Sequence, residues 1–542
     1  MASDKLLSVA LDFGTSFSGY AFSFKHDKET IITSRWTGTD YSKAPTSILF
    51  NPQKDFDSFG FEAEDNYAKL SKSRSQKDWY LFKQFKLVLI KEKKLRRNTK
   101  ISDVSGKKML AMHVFSAALL FLKDDFMNNC RLQFPTLRET DVQWVLTVPA
   151  IWSDSAKQFM RLAANEAGIP DESLMLVLEP DAAAMSASCF TVCEEGKKCM
   201  ILDCGGGTVD VSIVTKTSRG SMNCIFRPTG GVWGGTQVDD AFQEYLITQF
   251  GVNSYTCMEK HEILQVQRSF ENAKKKAQKP DTSKVGIWLP LTLRNGFLSL
   301  QIRQNVVGDK LFVSVDQVVQ CFIKPVNSIV SHIEEIINDP EMNELKYIIM
   351  VGGFSESEIL QSAIQNNFPN INVLVVDDPG SAVLKGATVL GHNPNIIESR
   401  RSAYTYGIKA CTNFVEMYHD RKKLKVIDGK RKCRDIFDKF IAVDEVIESN
   451  KTKVKKIYYP IHFGQKSMRL AVHRSTYKDP GYVTDPGCEK IGDLVVKMPD
   501  LTGEMERRVK VSILFGETEL RVEAVDKTTG KIYTAAFDFL GR

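Results

Sequence analysis

The sequence predicts a two-part molecule, with an α/β region over 1–394 and an all-β region over 395–542. Three observations carry this. Strand-like and helix-like runs alternate to about residue 394, which is the pattern of strands covered by helices. A strand–Asp–Gly–Thr hairpin occurs twice, about 190 residues apart, which points to a duplicated lobe. From about residue 400 short strand-like runs such as RRVKVSILF and ELRVEAV are divided by DPG, TTG and GQ, and no long helical stripe follows.

The elements follow in order. SVALDFGTSFSGYAFSF (8–24) reads as strand, Leu11-Asp12, a small-residue bend and a second strand. HVFSAALLFLKDDFM (113–127) reads as a helix, and QWVLTV (143–148) as a strand stopped by Pro149. In SDSAKQFMRLAANEAG (153–168), Ala156, Phe159, Met160, Ala163, Ala164 and Ala167 fall on one helical face. Ser153 or Asp154 caps its start, and Gly168 with Pro170 ends it. ILDCGGGTVDVSIV (201–214) repeats the first hairpin, with Asp203 before three glycines and Asp210 after them. KYIIMVGGFSESEILQSAI (346–364) is a buried strand, a Gly-Gly turn and a helix, and HNPNIIESRRS (392–402) is the junction.

Composition excludes several classes. Hydrophobic content is 43% and charged content 25%, which fits a soluble globular chain. A formal charge of +6 against 72 basic and 66 acidic residues leaves no nucleic-acid footprint. The basic stretch KEKKLRRNTK (91–100) reads as a solvated loop face. The 11 cysteines form no CxxC pair, and Cys189, Cys193 and Cys199 beside Cys204 lack zinc-ligand spacing, so a reducing, cytoplasmic setting is expected. No run is long enough for a signal peptide or a membrane span.

Glycine bends turn backbone N–H groups into a concavity suited to an anion. Mg²⁺ keeps most of its waters, so carboxylates acting through water suit it. Asp12, Asp203 and Asp210 stand at the mouths of the two bends, with Thr15 and Thr208 as hydroxyl donors to phosphate. Because Val209, Val211 and Ile213 share one face of their strand, Asp210 is expected on the other, away from the core. No Gly-Lys-Ser/Thr pattern supports a P-loop.

These motifs resemble the seventy-kilodalton heat-shock chaperones of the actin-like ATPase superfamily. LDFGTSFSG looks like their first phosphate loop and LDCGGGTVDVSIV like their second. VLTVPAIWSDSAKQFMRLAANEAG with LEPDAAAMSAS is similar to the first connecting segment, and DPGSAVLKGATVLG to the second. MVGGFSESEILQSAI resembles the adenosine loop, and LRVEAVDKTTGK (520–531) the end of the β-sandwich. TVPAIW, KQFMR, the TGG at 229–231, VGGF and FDKFI look most like the divergent subfamily 12.

The resemblance implies a two-lobed, duplicated ribonuclease H-like ATPase domain over 1–394, then a degenerate β-sandwich over 395–542 without a helical lid. It implies ATP or ADP with Mg²⁺, slow hydrolysis, and protein clients or regulatory partners. Asp12, Asp203 and Asp210 would organise the metal and its waters. Gly14, Thr15, Ser16, Gly205, Gly206, Gly207 and Thr208 would hold phosphates, and Gly230, Gly231, Gly352, Gly353 and Phe354 would line the nucleotide. Glu179 would position the attacking water or the metal shell, and Asp203 and Thr208 would join it as catalytic residues. The catalytic lysine falls in YLFKQFKLVLI as Lys86, with Lys83 as the alternative.

Glu271 and Lys274 match a ribose-contacting pair. The two adenine-stacking arginines are replaced by Lys275 and Glu356, and Gly380 replaces an acid. Glu398, Arg400 and Arg401 stand where an apolar linker is usual, and a charged linker is expected not to bury itself. Two rival readings remain, a non-hydrolysing nucleotide-binding adaptor and a small-molecule kinase of the same superfamily.

Overall fold

The computed structural model describes residues 5–36, 41–70, 75–92, 94–277, 283–294, 300–448, 453–514, 521–535 and 539–540. The chain divides into two compact units. The first holds residues 1–212 and 229–393, and the second holds 213–228 and 394–542.

Two sheet arrangements in the first unit follow one plan. Strand Leu7–Phe13 turns back antiparallel into Phe17–Phe24, and on its other side pairs in parallel with Val142–Val148. Val142–Val148 pairs in parallel with Leu174–Leu178. In the repeat, Lys198–Cys204 lies beside Val209–Lys216, whose first four residues belong to this unit. On its other side it pairs in parallel with Leu345–Val351, which pairs in parallel with Asn372–Val375. In both copies the bend carrying an aspartate joins the central strand to its antiparallel neighbour. The central strands are buried along almost their whole length, as parallel strands covered by helices must be.

The predicted helices form with longer or shifted ends. Ala111–Gln133 extends the expected 113–127 at both ends. Asp154–Glu166 starts at Ser153, whose hydroxyl accepts the Ala156 N–H, so Ser153 rather than Asp154 is the cap. Its predicted apolar stripe is buried from Ala156 to Ala167. The Gly-Gly turn after Leu345–Val351 is a short 3-10 turn, Gly353–Glu356, before the helix Glu358–Asn367.

Two short helices matter for the site. Glu179–Ala184 follows directly on strand Leu174–Leu178 and is buried throughout. Helix Ala382–His392 crosses it with Gly386 against the backbone of Ala182. A Cβ on Gly386 would lie 2.6 Å from the Ala182 carbonyl carbon, so only glycine fits.

Most of the second unit is built from antiparallel strands. Five run in the order Leu424–Ile427, Lys430–Ile441, Thr405–Asn413, Ser467–Ser475, Cys488–Lys497. Four others run Lys453–Tyr458, Val509–Leu514, Arg521–Asp526, Ile532–Ala535. One hydrophobic cluster takes residues from both sheets, including Ile408, Leu470, Val472, Val496, Val511, Ile513 and Val522. Among the described residues no α-helix lies beyond His392.

The charged junction belongs to the second unit. Ile397–Arg401 is a strand, parallel to Met222 and Asn223 and antiparallel to Val446–Glu448. Its charges are satisfied rather than stranded. Glu398 accepts from the Ser221 hydroxyl at 2.5 Å, and Arg401 donates to the carbonyls of Ile225 at 3.2 Å and Asp444 at 2.7 Å. Glu398, Arg400 and Arg401 all remain partly exposed.

Candidate functional site

The two glycine bends face each other. A Cβ on Gly206 would lie 2.8 Å from the Ser16 Cβ, and one on Gly207 would lie 2.9 Å from the Thr15 Cβ. Both distances are below anything real side chains adopt, so the approach needs bare backbone. The carbonyls of the second bend are taken up from behind. Gly205 O accepts from Gly235 N at 3.2 Å, and Gly206 O accepts from Thr236 N at 2.8 Å at the start of helix Thr236–Phe250. Thr46 fixes the first bend by donating to Gly14 O at 2.8 Å. Thr15 and Thr208 are both buried.

Four carboxylates converge on this place, all less than a tenth exposed: Asp12, Glu179, Asp203 and Asp210. Asp12 lies near the end of strand Leu7–Phe13. Its Oδ1 accepts from the Thr147 hydroxyl at 2.8 Å, and its Oδ2 accepts from Lys43 Nζ at 2.6 Å. Burial works against its charge, yet Lys43 and Lys86 hold it below the ordinary carboxylate range.

Asp203 has the opposite balance. Burial and the neighbouring charges of Glu179, Asp210 and Asp12 push it well above the usual range. Gly352, at φ +83°, packs on the Asp203 carboxylate and the Cys204 backbone, leaving no room for a Cβ. Asp210 does lie on the strand face opposite Val209 and Val211, but it is 1% exposed. The expectation that it leaves the core is therefore wrong, because this strand is buried on both faces. Burial raises Asp210 to about 6, although the N–H groups of Ile151 and Ala150 and the Thr208 hydroxyl oppose the shift. Ala150 N lies 2.8 Å and Ile151 N 3.2 Å from its Oδ1.

Lys86 reaches the site through aromatic packing. Phe85 packs against Phe13 at 5.7 Å and Phe115 at 5.0 Å, and these rings anchor the turn Phe85–Leu87. Lys86 is thereby buried, with its Nζ 2.7 Å from Glu179 Oε1 and 5.1 Å from the Trp152 ring centre. Burial raises Glu179 to about 7 despite Lys86, with Asp12 and Asp210 adding to the rise. Lys83 is placed elsewhere, 2.9 Å from Glu64, which Arg268 also binds.

The opposite end of the candidate site is made of ion pairs. Lys274 Nζ lies 2.7 Å from Asp239 and also donates to Glu271. Burial raises Asp239 to about 6 against the pull of Lys274. Phe354 is nearly buried and stacks on Phe322 at 6.0 Å, and Gly353 is exposed. Gly230 lies against the backbone of Val209 and Asp210, and Gly231 beside the Trp233 ring. Glu356 is exposed, and its Oε1 is 3.3 Å from where a Cβ on Gly380 would stand. The Lys275 side chain lies outside the described residues.

Sequence reasoning missed Lys43, Asp239, Thr147 and Trp152. Thr147 and Trp152 sit in VLTVPAIW, between a strand end and a helix cap, where the signal was available. Asp239 follows the glycines of GGTQVDD at a helix start, a weaker signal. Lys43 stands alone before Ala-Pro and carries none.

The family model described as Hsp70 protein matches residues 77–398. Heat shock 70 kDa protein 12A of Mus musculus is 32% identical, over 99% of this chain and 92% of its own length. Heat shock 70 kDa protein 12B of Homo sapiens is 31% identical over 98% and 91%, and Heat shock 70 kDa protein 12A of Homo sapiens 30% identical over 99% and 92%. The chain belongs to the Hsp70 family, and is a divergent, Hsp70-like nucleotide-binding protein with a mixed α/β fold consistent with an actin-like ATPase.

Among the described residues no helix is long and apolar enough to cross a membrane. All eleven cysteines are free thiols.

Proposed function

We propose that the facing glycine bends bind the phosphates of ATP, that hydrolysis is slow, and that residues 395–542 hold a protein client or regulatory partner. The observation that carries this reading is the apposition of Thr15-Ser16 with Gly206-Gly207 beside four buried carboxylates. In this reading residues 1–394 form a two-lobed actin-like ATPase domain, and the two C-terminal sheets form a β-sandwich in a cytoplasmic protein.

The donor set fits Mg²⁺. Among the described residues no three acids come close enough to ligate an ion directly, so a hydrated ion held through water is the suitable form. The four buried carboxylates exceed the two lysines that reach them, and burial raises Asp203, Glu179 and Asp210, with neighbouring acids adding to the rise at Asp203 and Glu179. When bound, the metal would offset this charge and that of the phosphates. Asp12, Asp203 and Asp210 would hold its waters.

Glu179, titrating near neutrality, accepts a proton or orients the attacking water, and Lys86 holds the Glu179 carboxylate in place. Thr208 and the bend amides hold the transferred phosphoryl, so catalysis rests on positioning and charge. A non-hydrolysing adaptor is the second reading, favoured by Glu356 at the base end. ATP binding and turnover by purified protein, compared with Asp210→Asn, decide between them. Binding with turnover that the variant abolishes supports the first reading, and binding without turnover supports the adaptor.

A further inference from the structure

Lys43 has no place in any of the motifs above, yet it makes the shortest of the ion pairs at the phosphate end, 2.6 Å from Asp12 Oδ2. Its side chain is only 17% exposed. It precedes the short strand Ala44–Pro45, which pairs antiparallel with Phe17 and Ser18 just after the first bend, so its backbone is fixed to that bend. Gly19 packs on its Cγ, leaving the aliphatic stem a defined channel. The charges of Asp203 and Glu179 act on the same ammonium, so Lys43 answers to three acids of the candidate site. With Thr147 on Oδ1 and Lys43 on Oδ2, each oxygen of Asp12 already has a strong donor.

We infer that Lys43 is a built-in cation that takes the place of much of the divalent ion's charge at Asp12, so that nucleotide binding depends only weakly on Mg²⁺. This rests on the nucleotide-binding reading above. The physical argument is competition. A fixed ammonium at Asp12 offsets part of the surplus negative charge, weakens the hold of the same carboxylate on the waters of a dication, and presents a cation to an incoming phosphate. Lysine suits the role because its ammonium is a compact point charge with three donors.

The test is the affinity of a fluorescent ATP analogue, measured with Mg²⁺ and with EDTA, for the wild-type chain, Lys43→Met and Lys43→Arg. In the wild type the two affinities should differ by less than about tenfold, and in Lys43→Met the ratio should rise by about tenfold or more. Lys43→Arg keeps the charge and should keep the wild-type ratio to within about threefold. A ratio in Lys43→Met less than about threefold above wild type would overturn the inference while leaving nucleotide binding intact. If Lys43→Met does not fold, the wild-type ratio decides, with about tenfold as the dividing line. Absence of binding to the wild type under both conditions would remove the nucleotide reading itself, and this inference with it.

Discussion

The phosphate end and the base end of the candidate site are built differently. At the phosphate end, bare backbone meets backbone and buried acids surround it, held by Lys43, Lys86 and main-chain N–H groups. At the base end, the adenosine-loop position holds an exposed glutamate, and the pair Glu271–Lys274 is tied to Asp239. In the reading proposed above, this contrast weights recognition toward phosphate, since one end is built of charge while the other holds Glu356 where a base-stacking cation is expected.

The largest effect expected concerns the acids. Asp210→Asn should lower ATP hydrolysis by about 10²-fold or more, since charge stabilisation of phosphoryl transfer is worth several kcal/mol. A turnover assay at wild-type rate in this variant would break the contrast at its stronger end.

Stability separates acids that look alike. Asp203→Asn removes a carboxylate crowded by three others, so the nucleotide-free protein should melt higher. Asp12→Asn strands Lys43 and should cost about 2 kcal/mol or more, as loss of one partner of a buried pair does. Calorimetry that moved both variants the same way would contradict this.

The pH dependence follows from Glu179. Its carboxyl is raised from 4.5 to about 7, so the folded state binds the proton more tightly than the unfolded chain. The stability it contributes is complete below about pH 4.5 and is lost as pH rises through about 7. Melting temperature without nucleotide should therefore fall across this window, and Glu179→Gln should flatten the fall.

At the base end, the double variant Lys275→Arg with Glu356→Arg should tighten ATP over GTP by about tenfold, each restored stack being worth roughly 0.5–2 kcal/mol. Titration calorimetry with both nucleotides measures it, and an unchanged preference would show that the base end was never weakened.

The smallest effect is expected between nucleotide and client. The strand Ile397–Arg401 is held by pairing at both edges, by the hydrogen bond that Glu398 accepts from Ser221 and by the one that Arg401 donates to Asp444. A peptide bound to residues 395–542 should change affinity by less than about threefold between ATP and ADP. Fluorescence anisotropy under each nucleotide checks this, and a change of tenfold would reveal a working switch.

The phosphate end was legible in the sequence because its signals are local. Asp12, Asp203 and Asp210 adjoin glycine bends on apolar strands, and each falls within a few residues of a feature that marks it. What distance along the chain separates was not legible. Lys83 and Lys86 stand close together between the apolar runs YLF and LVLI, and only the packing of Phe85 on Phe13 and Phe115 turns one toward Glu179. Period-two alternation gave the face of Asp210 correctly but not its burial, since alternation cannot tell a half-exposed strand from one covered on both sides. Glu356 and Gly380 read as two separate departures. In space they are one, since an acid at 380 would stand against the Glu356 carboxylate.

The crossing of helix Ala382–His392 over Glu179–Ala184 has a mechanical meaning. At Gly386 the two helices touch backbone to backbone, with no side chain between them. Interlocked side chains resist turning, because every small rotation must lift ridges out of grooves. A contact without them has no such interlock and rests on backbone alone. Glu179 sits at the first turn of one of those helices, so the spacing that Gly386 permits helps set where its carboxylate stands relative to Asp12.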